Sequence, residues 1–446
     1  MRLRFPHPLV LMVAGIMLAA VLTHILPAGR YDRQDDPVTG KSVVIAGSYK
    51  LVDPTPLGFF DTLVAIPKGM LGAGSVIFFV FLVGGAFTVV DKTGALQALI
   101  DTLVKSLGSR GILVIPILGL AFAAGGALEN MQEEILAFVP VLLLLMRRLG
   151  FRPLTAVALS MGTAAVGSAF SPINPFQVGI AQKLAGLPLL SGWGFRLGVL
   201  VPALALWIFW TMRWTRRNRG IEEILEHESL AAAWNWRHVT VLLAVAAAFV
   251  LLVIGVSRWD WDFDQLAGMF FFMGVVAGVI GGLGLEGTAE AFVEGFRGMA
   301  YAGLLIGFAR AIFVVMDEGR IVDTIVQALF TPLSHLPVAA SAAGMVAAHT
   351  LIHFPVPSVS GQAVLTMPLL VPLSDLLGLS RQVTVLAYQT GTGLCELVTP
   401  TNGALMAMLA ASGVKYEDWL RFLAPVYALL LALGTGAVFV GIFLRW

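Results

Sequence analysis

One short phrase occurs twice in this chain, and it constrains the fold more than any other feature. Residues 171–175 read Ser-Pro-Ile-Asn-Pro and residues 399–403 read Thr-Pro-Thr-Asn-Gly, so each runs hydroxyl, Pro, any residue, Asn, helix breaker. The two are 399 − 171 = 228 residues apart. Agreement at Pro, Gly and Asn in one register indicates an internal repeat. The same offset relates Pro140 to Pro368 and Gly150 to Gly378.

Apolar runs of near 20 residues recur along the whole chain, which predicts a polytopic helical membrane protein. The 446 residues are 58% hydrophobic and 12% charged, a composition that no soluble domain of this length has. The single cysteine, Cys395, excludes a disulfide framework and a cysteine-based metal cluster. No basic patch suits a nucleic acid. Residues 1–27 are predicted to begin a first transmembrane helix rather than a signal peptide, because the apolar run is long and lacks a small-x-small cleavage motif.

We predict an all-α membrane fold of two inverted repeats, with about nine spanning helices and two re-entrant hairpins. Each repeat has one hairpin and one broken transmembrane helix. The predicted units are an N-terminal half at 1–212 (inner hairpin about 111–149, broken helix 153–184), a cytoplasmic linker at 213–237, and a C-terminal half at 238–446 (outer hairpin about 339–377, broken helix 383–412).

The remaining segments are predicted from their apolar pattern. An ordered external loop is expected at 27–67, and an amphipathic helix in the membrane interface at 91–110. The other predicted helices are 8–26, 70–90, 195–212, 239–256, 266–283, 301–315, 320–329 and 423–443.

The distribution of Lys and Arg predicts a cytoplasmic N-terminus in the inner membrane. The cluster from Arg213 to Arg219 would lie outside in the reverse orientation, against the positive-inside rule. This orientation places the first hairpin inside and the second outside, so the repeats are inverted, as in many alternating-access carriers.

The two repeated phrases are the first candidate binding site. Proline frees backbone groups at membrane depth, and such groups are tolerated only where protein, water or a ligand satisfies them. Ser171, Asn174, Thr399 and Asn402 are neutral oxygen donors beside this unwound backbone, so the set suits Na⁺, and half-helix N-termini favour a substrate carboxylate. The alternative is a kinked helix that Ser or Thr caps.

Acidic residues form the second candidate group. Glu129, Glu133 and Glu134 lie at the predicted inner tip, where they bind substrate or protons unless cytoplasmic water solvates them. Glu396 lies in the second broken helix, and its counterpart by the offset is Ser168. It binds a cationic substrate or relays a proton; the alternative is a structural hydrogen bond. The predicted cation-coupling set is Glu129, Glu133, Glu396, Ser168 and Thr392.

Three further features complete the candidate set. Arg310 holds a substrate carboxylate or pairs with a tip glutamate, unless it snorkels or forms a fixed ion pair. Ser358 and Ser360 at the outer tip are candidate substrate ligands. His349 and His353 are four residues apart and fall on one helix face, as a satisfied pair or a proton relay, without the Glu of a zinc-protease motif.

Three stretches resemble a known family. Residues 167–179 (GSAFSPINPFQVG), 65–69 (AIPKG) and 80–87 (VFLVGGAF) look like the signature of YfcC-like carriers, which belong with the anaerobic C4-dicarboxylate carriers (DcuC-like) in the broad ion transporter superfamily. The resemblance implies paired hairpins, paired broken helices, cation coupling and commonly a homodimer. Better-known relatives carry Ser-Asn-Thr at the tips and bind Na⁺ there. The acidic inner tip of this chain leaves H⁺ open as the coupling ion.

The resulting functional prediction is a secondary transporter of a small charged metabolite. The acids Glu129 and Glu396 against Arg310 favour an amino acid with a cationic group, and a C4-dicarboxylate is the alternative. An intramembrane enzyme needs no duplicated site, and a channel needs a continuous polar path. The predicted partners are the small substrate, the lipid bilayer and a second copy of the chain, with no cofactor beyond the coupling ion, Na⁺ or H⁺.

Overall fold

Helices account for most of residues 7–36, 41–219, 235–259 and 261–446, the part of the chain that the computed structural model describes. Eight helices there are long and apolar enough to cross a membrane. The predicted all-α membrane fold is confirmed. Two of the eight, which end at Leu128 and begin at Val359, lie within the segments predicted to form hairpins.

The helices, in chain order, are α1 (Pro8–Ile25), α2 (Phe59–Gly72), α3 (Gly74–Lys92), α4 (Ala95–Leu107), α5 (Val114–Glu129), α6 (Val139–Arg148), α7 (Pro153–Val157), α8 (Thr163–Ala169), α9 (Ile180–Leu184), α10 (Trp193–Arg217), α11 (Trp236–Trp259), α12 (Phe263–Gly281), α13 (Gly284–Glu318), α14 (Val322–Phe330), α15 (Val338–Ile352), α16 (Val359–Leu377), α17 (Arg381–Cys395), α18 (Gly403–Ala411) and α19 (Tyr416–Phe443). Single 3₁₀ or π turns lie at Gly108–Leu113, Glu134–Phe138, Ala158–Gly162, Pro175–Gly179 and Thr331–His335.

The predicted external loop is partly helical. Its first part holds two short antiparallel strand pairs, and its second part is α2. Pro67 lies inside α2, where it removes only one backbone hydrogen bond, and packing of α2 against α13 compensates for that loss. The strands are β1 (Gly29–Arg30), β2 (Arg33–Asp36), β3 (Lys41–Val44) and β4 (Lys50–Leu51), paired β1 with β4 and β2 with β3.

Helix α13 is the longest element described, at 35 residues, and it contacts α1, α2, α3, α12 and α18. Its backbone approaches α2 so closely at Gly69 that a Cβ there would lie 2.6 Å from Gly307 O. Small residues allow such close approach between membrane helices. Two ion pairs join α13 to neighbours: Lys92 to Glu294, ten residues after the start of the helix, at 3.0 Å, and Lys68 to Glu318, its last residue, at 2.6 Å.

The two halves repeat one packing arrangement. Helix α5 packs against α8 in the first half, and α15 packs against α17 in the second. The chain is unwound between Ala169 and Pro175, and again between Cys395 and Gly403, which are the two repeated phrases. The predicted linker 213–237 falls largely on residues 220–234, which lie outside the described residues.

Candidate functional site

Asn402 organises the second unwound segment. Its Oδ1 accepts a hydrogen bond from Leu405 N at 3.1 Å, so it caps the start of α18. Its Nδ2 donates to Glu396 Oε2 at 3.0 Å and to Gln132 Oε1 at 3.2 Å. One asparagine therefore caps the second half-helix, orients Glu396 and contacts the tip of the first hairpin.

Asn174 makes the equivalent bonds in the first repeat. Its Oδ1 accepts from Gln177 N at 2.9 Å, and its Nδ2 donates to Ser168 Oγ at 3.3 Å and to Gly126 O at 2.9 Å. Residues 168, 174 and 177 map onto 396, 402 and 405 by the 228-residue offset. The repeat found in the sequence is therefore also a repeat of hydrogen bonds.

The first-repeat cluster is closed to solvent. Ser171 Oγ donates to Ala127 O at 2.7 Å and accepts from Asn174 N at 2.9 Å, which ties the broken helix to the first hairpin. Ser168 donates to Asn130, which ends α5 in a left-handed conformation at φ 57°. Ser168, Ser171 and Asn174 are at most 2% exposed. Their oxygens are occupied by protein donors here, so their role as Na⁺ ligands stays a prediction.

A cavity of about 560 Å³ lies between the two hairpin tips and the second unwound segment. It brings together seven candidate residues: Glu133, Glu134, Arg310, Ser358, Ser360, Glu396 and Asn402. Other predicted residues do not line it: Ser168, Ser171, Asn174, Thr392 and Thr399. Glu129 is the last residue of α5, and its side chain lies outside the described part of the structure.

The cavity wall carries more acid than base. Glu133 and Glu134 come from the first tip, Glu396 from the second broken helix, and Asp262 from the start of α12. Arg310 is the one basic residue among the described lining residues, and its guanidinium lies 4.8 Å from the centroid of the Phe313 ring. A ligand with two cationic groups and one carboxylate matches this distribution of charge.

Glu396 is backed by a chain of buried polar side chains. His353 Nε2 lies 3.0 Å from Glu396 Oε1, and His353 Nδ1 lies 3.1 Å from Gln362 Oε1. Gln362 Nε2 continues to His349. The two histidines and Gln362 are fully buried, whereas Glu396 reaches the cavity with 8% of its side chain exposed.

Thr392 and Thr399 are buried and do not line the cavity. Thr399 Oγ1 donates to Cys395 O at 2.8 Å. This is the usual hydrogen bond of a threonine hydroxyl to the backbone carbonyl four residues earlier. Thr392 Oγ1 is buried and makes no hydrogen bond within the described residues. Their assignment to cation binding stays a prediction.

Gln132 and Arg196 are among the polar residues that sequence reasoning missed. Gln132 is 3% exposed at the first tip and contacts Asn402, yet it was overlooked beside three glutamates. Arg196 is 1% exposed and donates to Gln389 Oε1 at 3.1 Å and Gln382 Oε1 at 3.0 Å, so it joins α10 to α17. Its position one turn inside an apolar helix was the available signal.

Comparisons with known proteins identify relatives over the whole chain. The family model for C4-dicarboxylate anaerobic carriers (DcuC) matches residues 5–443. The Escherichia coli protein named "Putative basic amino acid antiporter YfcC" is 33% identical, over 98% of this chain and 96% of its own length. An uncharacterized Haemophilus influenzae protein is 26% identical over 97% of this chain and 96% of its own length.

Two solved structures of transporters align along nearly the full chain. The YdaH transporter of Alcanivorax borkumensis aligns with a TM-score of 0.44 and 16% identity, over 99% of both chains. MtrF of Neisseria gonorrhoeae, described within a class of antimetabolite efflux pumps, aligns with a TM-score of 0.41 and 18% identity, over 99% of this chain and 96% of its own.

Proposed function

Because this chain belongs to the DcuC family of C4-dicarboxylate anaerobic carriers and is a membrane transporter, we propose that it carries an amino acid with a cationic side chain. The observation that carries this proposal is the cavity wall, with Glu133, Glu134 and Glu396 set against Arg310. Arg310 would hold the substrate carboxylate, and the glutamates would hold its two cationic groups. The name of the 33% identical relative, a basic amino acid antiporter, agrees with this choice.

Transport would proceed by alternating access around this cavity, coupled to a cation gradient or to exchange. Both hairpin tips and one unwound segment meet there, so a movement of one repeat against the other would open the site to either side. Either Na⁺ or H⁺ would serve as the coupling ion. We place the protein in the inner membrane, as a homodimer with a cytoplasmic N-terminus. Neither an intramembrane enzyme nor a channel requires such paired tips.

A C4-dicarboxylate is the second candidate substrate, and a specific observation favours it. The N-termini of α16 and α18, at Val359 and Gly403, line the same cavity as Arg310 and the hydroxyls of Ser358 and Ser360. Helix N-termini attract anions. The family description also names C4-dicarboxylates. The surrounding carboxylates oppose a dianion, which is why we rank this substrate second.

Counterflow in proteoliposomes tests the choice of substrate. Vesicles with purified protein are loaded with unlabelled arginine or with unlabelled succinate, and uptake of the same compound in labelled form is measured in each. Glu396→Gln should lower arginine counterflow about tenfold or more, since a lost charged hydrogen bond costs at least ~1.4 kcal/mol. Glu286→Gln, at an exposed position of α13, is the matched control. Counterflow of succinate without arginine would reverse the ranking.

A further inference from the structure

The amide of Gln362 lies between two histidine rings, and a backbone carbonyl determines which way it points. Gln362 Nε2 lies 2.8 Å from His349 O and 3.0 Å from His349 Nδ1. A carbonyl oxygen can only accept, so the amide NH₂ must face it. The amide oxygen therefore faces His353 Nδ1, at 3.1 Å.

This orientation determines the tautomer of His353. An amide oxygen can only accept, so His353 Nδ1 must carry the hydrogen. In the neutral ring, Nε2 is then an acceptor. Nε2 makes no hydrogen bond within the described residues, although it lies 3.0 Å from Glu396 Oε1. In this neutral tautomer both atoms are acceptors, so their approach is unfavourable until a donor reaches Oε1.

The other donors near Glu396 are directed elsewhere. Tyr388 donates its hydroxyl to Val359 O at 2.8 Å, and Cys395 donates its thiol to Thr350 O at 3.2 Å. Asn402 donates to Oε2. Within the described part of the chain, Oε1 of Glu396 therefore has no protein donor, while the residue lines the cavity.

We propose that Gln362 is a positioning residue that keeps His353 an acceptor and so reserves Glu396 Oε1 for a cationic N–H group of the substrate. The inference rests on the proposed transport of a cationic amino acid and adds the residue that selects for that charge. With the opposite tautomer, His353 would donate to Oε1, and this internal hydrogen bond would compete with an ammonium or guanidinium group.

A double-mutant cycle tests this role. Arginine, citrulline (its neutral analogue) and methylguanidinium are titrated calorimetrically into purified wild type, Gln362→Met, His353→Phe and the double variant. Gln362→Met frees His353 to donate, so arginine and methylguanidinium should bind about tenfold more weakly, a loss of ~1.4 kcal/mol. Citrulline affinity should stay unchanged. The double variant should regain wild-type arginine affinity, because a phenylalanine ring has no hydrogen to donate.

Gln182→Met is the matched control, because Gln182 is also fully buried and, within the described residues, its side chain bonds to the 190–191 turn alone. It should bind arginine as wild type does. Purely structural damage by Gln362→Met would weaken arginine and citrulline alike and would persist in the double variant. The proposal is overturned by equal weakening of arginine and citrulline, by a loss that persists in the double variant, or by unchanged arginine affinity in Gln362→Met.

His353→Phe alone keeps the test decisive if Gln362→Met fails to fold. Wild-type arginine affinity is expected, whereas tighter binding would mean that a protonated His353 is the ionic partner of Glu396, which contradicts the proposal. Methylguanidinium separates this inference from the proposed function. If it binds wild type and arginine does not, the proposed substrate is wrong and the cycle is read with methylguanidinium. If neither binds, both proposals are wrong.

Discussion

Asn174 in the first repeat donates to a hydroxyl, that of Ser168, whereas Asn402 in the second donates to a carboxylate, that of Glu396. Both asparagines also cap the following half-helix through the same atom. The first cluster is closed and made of neutral groups, and the second opens into a cavity. The same backbone arrangement thus has two different roles. In the first repeat its hydrogen bonds stabilise the unwound segment, and in the second they orient a carboxylate towards a ligand.

Exchanging the two central residues should produce the largest effect. Ser168→Glu would place a carboxylate among Asn130, Asn174 and Gln177, and none of the residues that the structure shows bonded to Ser168 is a cation. An uncompensated buried charge costs about 3–5 kcal/mol. We expect little folded protein by size-exclusion chromatography in detergent. Glu396→Ser, its matched reverse, should fold normally and lose arginine counterflow. If the Ser168→Glu variant folded in the same yield as Glu396→Ser, the first cluster would tolerate a carboxylate as the second does, and the contrast would fail.

Replacing each asparagine should distinguish the stabilising role of the first repeat from the ligand-binding role of the second. Asn174→Ala removes a helix cap and leaves Gly126 O without its side-chain donor, so we expect a loss of about 2–4 kcal/mol of unfolding free energy. Asn402→Ala removes a cap and the donor to Gln132 Oε1 and Glu396 Oε2. Both acceptors belong to residues that line the cavity, where water can replace the lost donor, so we expect a loss of only about 1 kcal/mol. Thermal unfolding in detergent measures the difference. Equal melting temperatures for the two variants would remove the distinction.

The hairpin tips should give the smallest effect. Ser358 accepts from Gly361 N at 3.2 Å and caps α16, while its counterpart by the offset, Asn130, ends α5. Ser358→Ala should cost about 1 kcal/mol, with the KM for transport unchanged if the hydroxyl only caps. A several-fold higher KM at a preserved melting temperature would instead assign Ser358 to the substrate. Counterflow and thermal unfolding on the same preparation distinguish the two.

Sequence reasoning reached the repeat because Pro, Gly and Asn mark backbone breaks wherever they lie in a helix. It reached Glu396 and Arg310 because charge in an apolar run is conspicuous. It could not assign the amide oxygens of Asn174 and Asn402 to capping rather than ion binding, since both uses need the same residue. The role of Gln362 depends on His349 O, His353 Nδ1 and Glu396 Oε1, none of which is close to it in sequence. No local sequence pattern could therefore predict it.

The predicted loop at 27–67 shows a second kind of limit. Pro67 and a polar composition indicated irregular structure, yet α2 continues through that proline because it packs on α13. Likewise, α13 begins at Gly284 rather than near 301, since its first turns are polar and carry no hydrophobic signal. Tertiary packing overrode local preference in both places.

The ion pairs at Glu294 and Glu318 also indicate depth in a bilayer. Their separation of 318 − 294 = 24 residues spans about 36 Å of helix, which is longer than the hydrocarbon core of about 30 Å and shorter than the whole bilayer of about 40–45 Å. The midpoint falls at Ile306, so Arg310 lies about 6 Å from the bilayer centre. A guanidinium at that depth is stable only in contact with water or an anion. We therefore expect this cavity to be hydrated whenever no substrate occupies it.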